Sequence, residues 1–228
     1  MKETGILLTP DGLAAARGVR ADLVYLGSEF CENLLPTPAQ FKRARALPGK
    51  RAVLVTPLLT ERGLKKAEAV VRSCAAAGGL EVVVNDLGLA GLLAKKYPRK
   101  TVLSAGRVLA GILSASPDPF LARLFKEHGI ARLEADRAET VERFSRLPGL
   151  RFTFHAPYAY AGLTRFCPWE KRWTGGRCGF SCRRGPKKLA SRLLPEPLYL
   201  IGAGYFTAGG KPGGGPIDRV VYDPAGKL

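Results

Sequence analysis

Short runs of apolar residues recur along the chain, and most are followed by a stretch with helical spacing. The runs are residues 5–9 (GILLT), 22–27 (DLVYLG), 52–56 (AVLVT), 81–85 (EVVVN), 101–104, 130–135, 151–155 (RFTFH), 198–202 (LYLIG) and 217–222 (IDRVVY). They are near-continuously apolar rather than alternating, the pattern of strands covered on both faces. Between them the spacing predicts a short helix over 13–19, one from Pro38 to about 47 stopped by Pro48-Gly49, and a strong one over 61–77 ended by Gly78-Gly79. Further helices are predicted over 118–128 and about 138–147, the last ended by Pro148-Gly149.

Strands alternating with helices at this spacing imply parallel βαβ units. Eight or nine candidate strands, with no nucleotide fingerprint after the first, predict an α/β fold of the TIM-barrel-like (β/α) type with parallel strands. Irregular or incomplete versions of that barrel are included, and a doubly wound sheet is disfavoured. The whole chain, 1–228, reads as a single barrel-like domain with a cysteine-rich loop inserted at about 164–186. The run 217–222 is an edge or closing strand. In such a barrel, function gathers at the C-terminal ends of the strands. Cys31, Asn85-Asp86, Arg107, His155 and the cysteine loop all fall at that end.

The loop from Phe166 to Arg184, FCPWEKRWTGGRCGFSCRR, holds three of the five cysteines, Cys167, Cys178 and Cys182. A span long enough to fold back and then two close thiols suit a thiolate cluster, and Pro168 after Cys167 is a Cys-Pro pairing also found at ferredoxin clusters. Gly175, Gly176 and Gly179 allow sharp turns between the ligands. Three thiolates are one short of the four that a cluster or a closed zinc site needs. The fourth comes from Cys31 or Cys74. Position favours Cys31, which follows a strand on the loop face, whereas Cys74 sits inside a helix among alanines. The spacing alone admits a structural zinc site as well as an iron–sulfur cluster.

Composition changes the picture in two ways. No apolar run reaches the ~18 residues of a membrane span, and the opening MKETGILLTPDG is a poor secretory signal, so no membrane span and a cytoplasmic location are expected. There, grouped cysteines mean metal or redox chemistry more often than disulfides. The charge is strongly positive, 36 Lys+Arg against 19 Asp+Glu, or +17. Such an excess attracts nucleic acid, anionic lipid or an acidic partner, and it keeps RNA open as a partner. Between Arg165 and Arg192 stand nine basic residues and one acid, Glu170, which also gives the charge a local purpose: cations stabilise an anionic cluster.

Four residues are candidate catalytic or binding groups. Asn85 and Asp86 are placed to bind substrate at a strand end, with helix capping the competing role for Asp86. Arg107 either clamps an anionic or aromatic carboxylate substrate or forms a surface ion pair. His155 either moves protons or is a hydrogen-bonded core residue. Tyr158, Tyr160, Trp169 and Trp173 flank the cysteines, to stack a substrate or to shield a cluster. The run 202–216 (GAGYFTAGGKPGGGP) is a loop near the barrel mouth or a phosphate cradle.

Several stretches together resemble the U-32 family of collagenase-like peptidases, most closely its UbiV-like iron–sulfur branch. They are TPDGLAAARGVRADLVYLG with Cys31 after it, VVVNDLGLAGLLAKKY, SAGRVLAG, RLEAD, FTFHAPYAYAGLTRFC, and Cys178 with Cys182. The resemblance covers most of the chain. It implies a barrel-like domain with a [4Fe–4S] cluster on Cys31, Cys167, Cys178 and Cys182, and a role in oxygen-independent hydroxylation of the ubiquinone-biosynthesis kind, with a homologous partner subunit in a heterodimer. Other relatives hydroxylate RNA bases, which makes an RNA-base hydroxylation factor the alternative. The family's name keeps a peptidase as a third reading, although no Ser/Cys–His–Asp set stands out in the sequence.

Overall fold

The computed structural model describes residues 2–174, 176–213 and 215–224. Gly175, one of the loop glycines named above, and Gly214, within the run 202–216, lie outside the described residues.

Seven strands alternate with helices through the first two-thirds of the chain: β1 (Glu3–Leu8), β2 (Leu23–Gly27), β3 (Arg51–Val55), β4 (Leu80–Val84), β5 (Thr101–Ala105), β6 (Ile130–Ala135) and β7 (Arg151–Ala156). The helices are α1 (Pro38–Arg45), α2 (Glu61–Cys74), α3 (Leu87–Lys96), α4 (Arg107–Leu113), α5 (Asp118–His128) and α6 (Ala138–Phe144). After β7 the chain builds six antiparallel strands: β8 (Tyr158–Leu163), β9 (Phe166–Cys167), β10 (Arg172–Trp173), β11 (Lys187–Leu189), β12 (Leu198–Ile201) and β13 (Gly204–Ala208). The last strand, β14 (Ile217–Tyr222), pairs in parallel with both β7 and β1. The result is a closed eight-stranded parallel barrel with helices outside it, a TIM-barrel fold.

The closure is complete, and 217–222 is the closing strand rather than an edge. The run 198–202 is not a barrel strand. It is β12, inside a four-stranded sheet ordered β11-β12-β13-β8. The segment 202–216 is correspondingly not one loop, because Gly204–Ala208 forms β13 and pairs with β8. The region expected as a short helix over 13–19 is a 3-10 turn over Pro10–Arg17. The 61–77 helix is α-helical to Cys74 and ends in a 3-10 turn over Ala75–Ala77. Helices α3 and α4 were not predicted from their spacing. Among the described residues no helix is long and apolar enough to cross a membrane.

The alternation of each strand separates two cores. One set of side chains, including Val24, Leu26, Leu54, Val82 and Val84, packs outward on the helices. The other set, including Leu7, Leu23, Tyr25, Val53, Val55, Val83 and Val221, fills the barrel interior. Helix α2 meets the outer core with Ala67, Val70, Val71 and Cys74, the i, i+3, i+4, i+7 stripe of an amphipathic helix. Helix α1 begins with Pro38 and a reciprocal Thr37–Gln40 capping box. The N-terminal end of the barrel is plugged by charge: Arg219 donates to Glu3 (3.0 Å), Glu81 (2.7 Å) and the Tyr25 hydroxyl (2.8 Å). That end is a stability device, and the C-terminal end is left for chemistry.

Two glycines set the geometry there. Gly27 ends β2 at φ +131°, and a Cβ would fall 2.2 Å from the Val55 carbonyl oxygen, so the chain turns tightly into Ser28–Cys31. Gly106 precedes α4, and a Cβ there would fall 2.3 Å from the Asn85 side chain. The antiparallel sheet sits over the mouth through Phe30, Val108 and Phe206, with Tyr158, Tyr160 and Tyr199 packed around them.

Candidate functional site

Cys31, Cys167, Cys178 and Cys182 line one pocket. Cys31 stands just beyond β2 and opens a 3-10 turn over Glu32–Leu34, whose Asn33 and Leu34 amides donate toward its sulfur. Cys167 is buried in the β9–β10 hairpin, opposite Arg172. Cys178 Sγ accepts from the Phe180 amide at 3.3 Å, and Cys182 lies in a short 3-10 turn over Ser181–Arg184. Glu170, the one acid in the loop, accepts from the Ser181 amide at 3.0 Å. The Ser181 amide and hydroxyl, with the Gly179 amide, hold its carboxyl below the usual range. Glu170 is therefore a staple between the hairpin and the Cys178–Cys182 turn.

All five cysteines are free thiols. Burial, and then the neighbouring sulfurs, push the Cys31 thiol up to about 11 and the Cys182 thiol up to about 12. Cys31 and Cys182 thus resist ionising unless a bound cation favours their thiolates, and with Cys167 and Cys178 they make a set of four sulfur donors around one pocket. Among the described residues, no three His, Cys, Asp or Glu side chains are drawn up as ligands of a single metal ion. Around one zinc, at about 2.3 Å per Zn–S bond, tetrahedral sulfurs stand ~3.8 Å apart. A four-iron cluster instead takes one thiolate per iron, over a wider span. Four cysteines on one pocket match in number and donor type the one thiolate per iron of such a cluster. Cys74 is apart from it, buried in the outer core beneath α2 beside the Ser73 hydroxyl (3.4 Å).

No family model and no curated protein matches the chain.

A second constellation lies at the barrel mouth, and the Ser28–Cys31 segment joins it to the first. Glu29 is buried and accepts from the Arg107 amide (2.6 Å) and from Arg107 Nε (2.7 Å). Asn85 donates to Glu29 (3.2 Å) and to the Thr56 carbonyl (2.8 Å), and its Oδ1 accepts from the Val108 and Leu109 amides. Glu29 and Asn85 thus satisfy the first amides of α4 from distant parts of the chain. The Arg107 guanidinium lies 3.5 Å from Asp136 and over the rings of Phe30 (5.1 Å) and Phe206 (5.7 Å). Burial opposes its charge, but the Glu29 and Asp136 carboxylates outweigh that and hold it protonated. The expected surface ion pair is thus a buried one: Arg107 is 4% exposed and its guanidinium is paired with Glu29 inside the mouth.

His155 points into the barrel and meets Glu134 at 2.8 Å through Nε2. Burial and the Arg107 charge lower its pKa to about 3, so the ring is neutral. Burial raises the Glu134 carboxyl to about 7. Asp86 takes the capping role: it accepts from Leu89 N (3.0 Å) at the start of α3 and from Leu59 N (3.2 Å). Asn85, Arg107 and His155 are brought together at the mouth, and Asp86 is not part of that group. Trp169 is half-buried and donates to the Gly202 carbonyl (2.7 Å), and Trp173 is among the residues that line the cysteine pocket. Tyr158 and Tyr160 do not flank the thiols; they join the Phe30–Phe206 aromatic cluster.

The sequence reading missed Glu29, Glu134 and Asp136. The last two had a usable signal: in RLEAD the acids alternate along β6, which turns both into the barrel. Glu29 had none, since its partners are 56 and 78 residues away. Three buried polar atoms here have no partner among the described groups: Arg107 Nη2, Glu134 Oε1 and His155 Nδ1. Polar atoms so placed create a demand that a water or a polar ligand atom meets.

Beside this group a cavity of about 470 Å³ opens at the mouth, lined by Leu7, Gly27, Phe30, Asp223, Arg183 and Cys182 among others. Its size falls in the range of small-molecule sites, roughly 300–1,000 Å³. An ion pair from Arg183 to Asp11 ties the cysteine loop across to the turn after β1.

The Glu134 carboxyl gives a pH-dependent prediction. Its ordinary value is 4.5 and its folded value about 7, so between the two the folded chain keeps a proton that the unfolded chain has released. The stability it contributes is complete below that window and lost as pH rises through it. Glu134→Gln keeps a neutral hydrogen-bonding group facing His155. Its stability relative to the parent is expected to grow by roughly 2.5 kcal/mol from pH 5 to pH 8, at about 1.4 kcal/mol per tenfold in proton affinity. Urea unfolding at both pH values checks this; a difference that stays constant with pH would show that the carboxyl titrates alike in both states.

Proposed function

We propose that this chain is an iron–sulfur protein that holds a [4Fe–4S] cluster on Cys31, Cys167, Cys178 and Cys182. We further propose that the mouth cavity takes the molecule it acts on, in an oxygen-independent hydroxylation of the kind the U-32 resemblance implies. The observation that carries this reading is that Cys182 lines both the four-thiol pocket and the 470 Å³ cavity. When bound, the cluster supplies one-electron chemistry at the cavity wall.

The chain's own groups have separable tasks. Leu7, Phe30 and Ile201 give the cavity apolar walls that exclude water, and Ser28 and Thr9 offer polar contacts to orient a ligand. Arg107, fixed by Glu29 and Asp136, keeps a positive charge beneath the mouth without being free to leave it. His155 and Glu134 share a hydrogen bond through which a proton can be held or passed at Nε2 and Oε2. A homologous partner subunit belongs to the same proposal.

The other readings have less behind them. An RNA-base hydroxylation role is supported by the +17 net charge. For a peptidase, neither histidine is hydrogen-bonded to a serine, threonine or cysteine among the described residues: His155 faces Glu134, and His128 faces the Leu124 carbonyl at 3.0 Å.

The test is an absorption spectrum of protein purified without oxygen, with iron, sulfide and zinc assayed on the same sample. A broad shoulder near ~400 nm with about four irons and four sulfides per chain is expected. A colourless protein with one zinc would make the cysteine loop a structural clasp and remove the main support for hydroxylation.

A further inference from the structure

We propose that the Phe166–Trp173 hairpin, with the cations around it, is the docking face for a small acidic electron-carrier protein. This rests on the cluster reading and names the partner that would serve it.

Trp173 is 70% exposed and Phe166 43%, and their rings meet edge to face at 5.8 Å. A tryptophan this exposed is not a core residue, and paired aromatics of this kind are the usual anchors of protein interfaces. Trp173 also lines the four-cysteine pocket, as do Arg172 and Arg177. The indole is thus both exposed to solvent and part of the wall of the thiol pocket, so a carrier seated on it lies against that wall.

Charge selects the kind of carrier. Arg165, Lys171, Arg172 and Arg177 are exposed around the aromatic pair. The stretch has one acid, Glu170, and its carboxylate is engaged by the Ser181 amide. Four cations against one carboxylate leave +3 on a small patch, which favours an acidic partner and fast, salt-sensitive association. Two rings in a cationic rim also match the small contact areas of transient electron-transfer complexes. Bases stack on open ring faces, and here one ring gives its edge to the face of the other, which favours a protein over a nucleic acid. In the transfer itself the carrier is oxidised by one electron and the cluster reduced by one; no bond forms or breaks.

The experiment uses the full chain with iron and sulfide assayed, and a flavodoxin, a small acidic flavoprotein, as probe. Calorimetry at low and moderate salt gives affinity, and stopped-flow absorbance with reduced flavodoxin gives the rate of cluster reduction. Micromolar binding is expected, weakening as salt rises. Trp173→Ala, and separately Arg172→Glu with Arg177→Glu, should each lower affinity and reduction rate ~10-fold or more, the size expected of interface anchors. Because these three side chains line the thiol pocket, affinity and rate are compared per iron retained in each variant, and Lys187→Glu with Lys188→Glu, on β11, should have the smaller effect. Undetectable flavodoxin binding at low salt would overturn the proposal, as would variants that bind and are reduced like the parent. A single-stranded RNA that displaces flavodoxin and itself depends on Trp173 would also overturn it, making the face a nucleic-acid surface. A chain that binds flavodoxin through Trp173 but assays without iron and sulfide would uphold the docking face and overturn the cluster reading instead.

Discussion

Alanine in place of any one of Cys31, Cys167, Cys178 or Cys182 is expected to strip the chain of most of its iron and sulfide, while Cys74→Ala leaves both intact. The four thiols share one pocket although the first is separated from the other three by more than a hundred residues of barrel. Each comes from a different backbone setting: a strand end, a hairpin, and the two arms of the turn stapled by Glu170. On the cluster proposal, removing one would leave an iron without its protein ligand in a pocket lined by no fifth cysteine. Loss of even an outer partner of a metal ligand costs ~10–100-fold in affinity, so loss of a ligand should cost at least that. Cys74 instead fills space in the outer core beside Val70 and Val71. Iron assays on the five single variants, purified without oxygen, decide the matter. Full retention in Cys31→Ala with loss in Cys74→Ala would reverse the assignment.

The second large effect concerns stability. Arg107→Ala is expected to destabilise the fold by about 3–5 kcal/mol, the size seen when one partner of a buried ion pair is removed. Glu29 would keep its bonds from the Arg107 amide and Asn85 but lose the guanidinium that compensates its charge, and Asp136 would lose its nearest cation. The aromatic floor of Phe30 and Phe206 would lose the group packed on it. Arg107→Met combined with Glu29→Gln removes both charges and fills similar volume, so it should recover part of the loss. Urea unfolding of the parent, both single variants and the pair measures the coupling. A cost below ~1 kcal/mol for Arg107→Ala would mean that Glu29 finds another partner.

Much of the architecture was legible from local pattern. The first seven barrel strands are fully buried or nearly so, and two-sided burial writes itself into sequence as an unbroken apolar run such as LVYLG or VVV. Helix stops were equally plain where Gly49, Gly78, Gly79 and Gly149 adopt positive φ. Helix α4 was not legible. RVLAGIL is short and apolar all round, and its caps are side chains of Asn85 and Glu29 rather than of its own neighbours. The two final apolar runs were also ambiguous. LYLI and IDRVVY look alike locally, yet one lies in an antiparallel sheet and the other closes the barrel, because pairing depends on the strands already in place on either side.

The candidate site divides along the same line. The amino-acid sequence by itself determined which thiols are close in the chain, that Cys31 sits at a strand's functional end, and that the loop around Cys167–Cys182 is basic. These are properties of spacing and composition, which need no folded neighbour. Only the tertiary structure decided that Cys182 borders a ligand-sized cavity, that Arg107 is locked to Glu29 instead of facing solvent, and that His155 and Glu134 titrate far from their ordinary values. Each of those follows from burial and from partners brought in across 21 to 78 residues of chain. In a low-dielectric interior, distance in space rather than distance along the chain sets what a charge or a proton does.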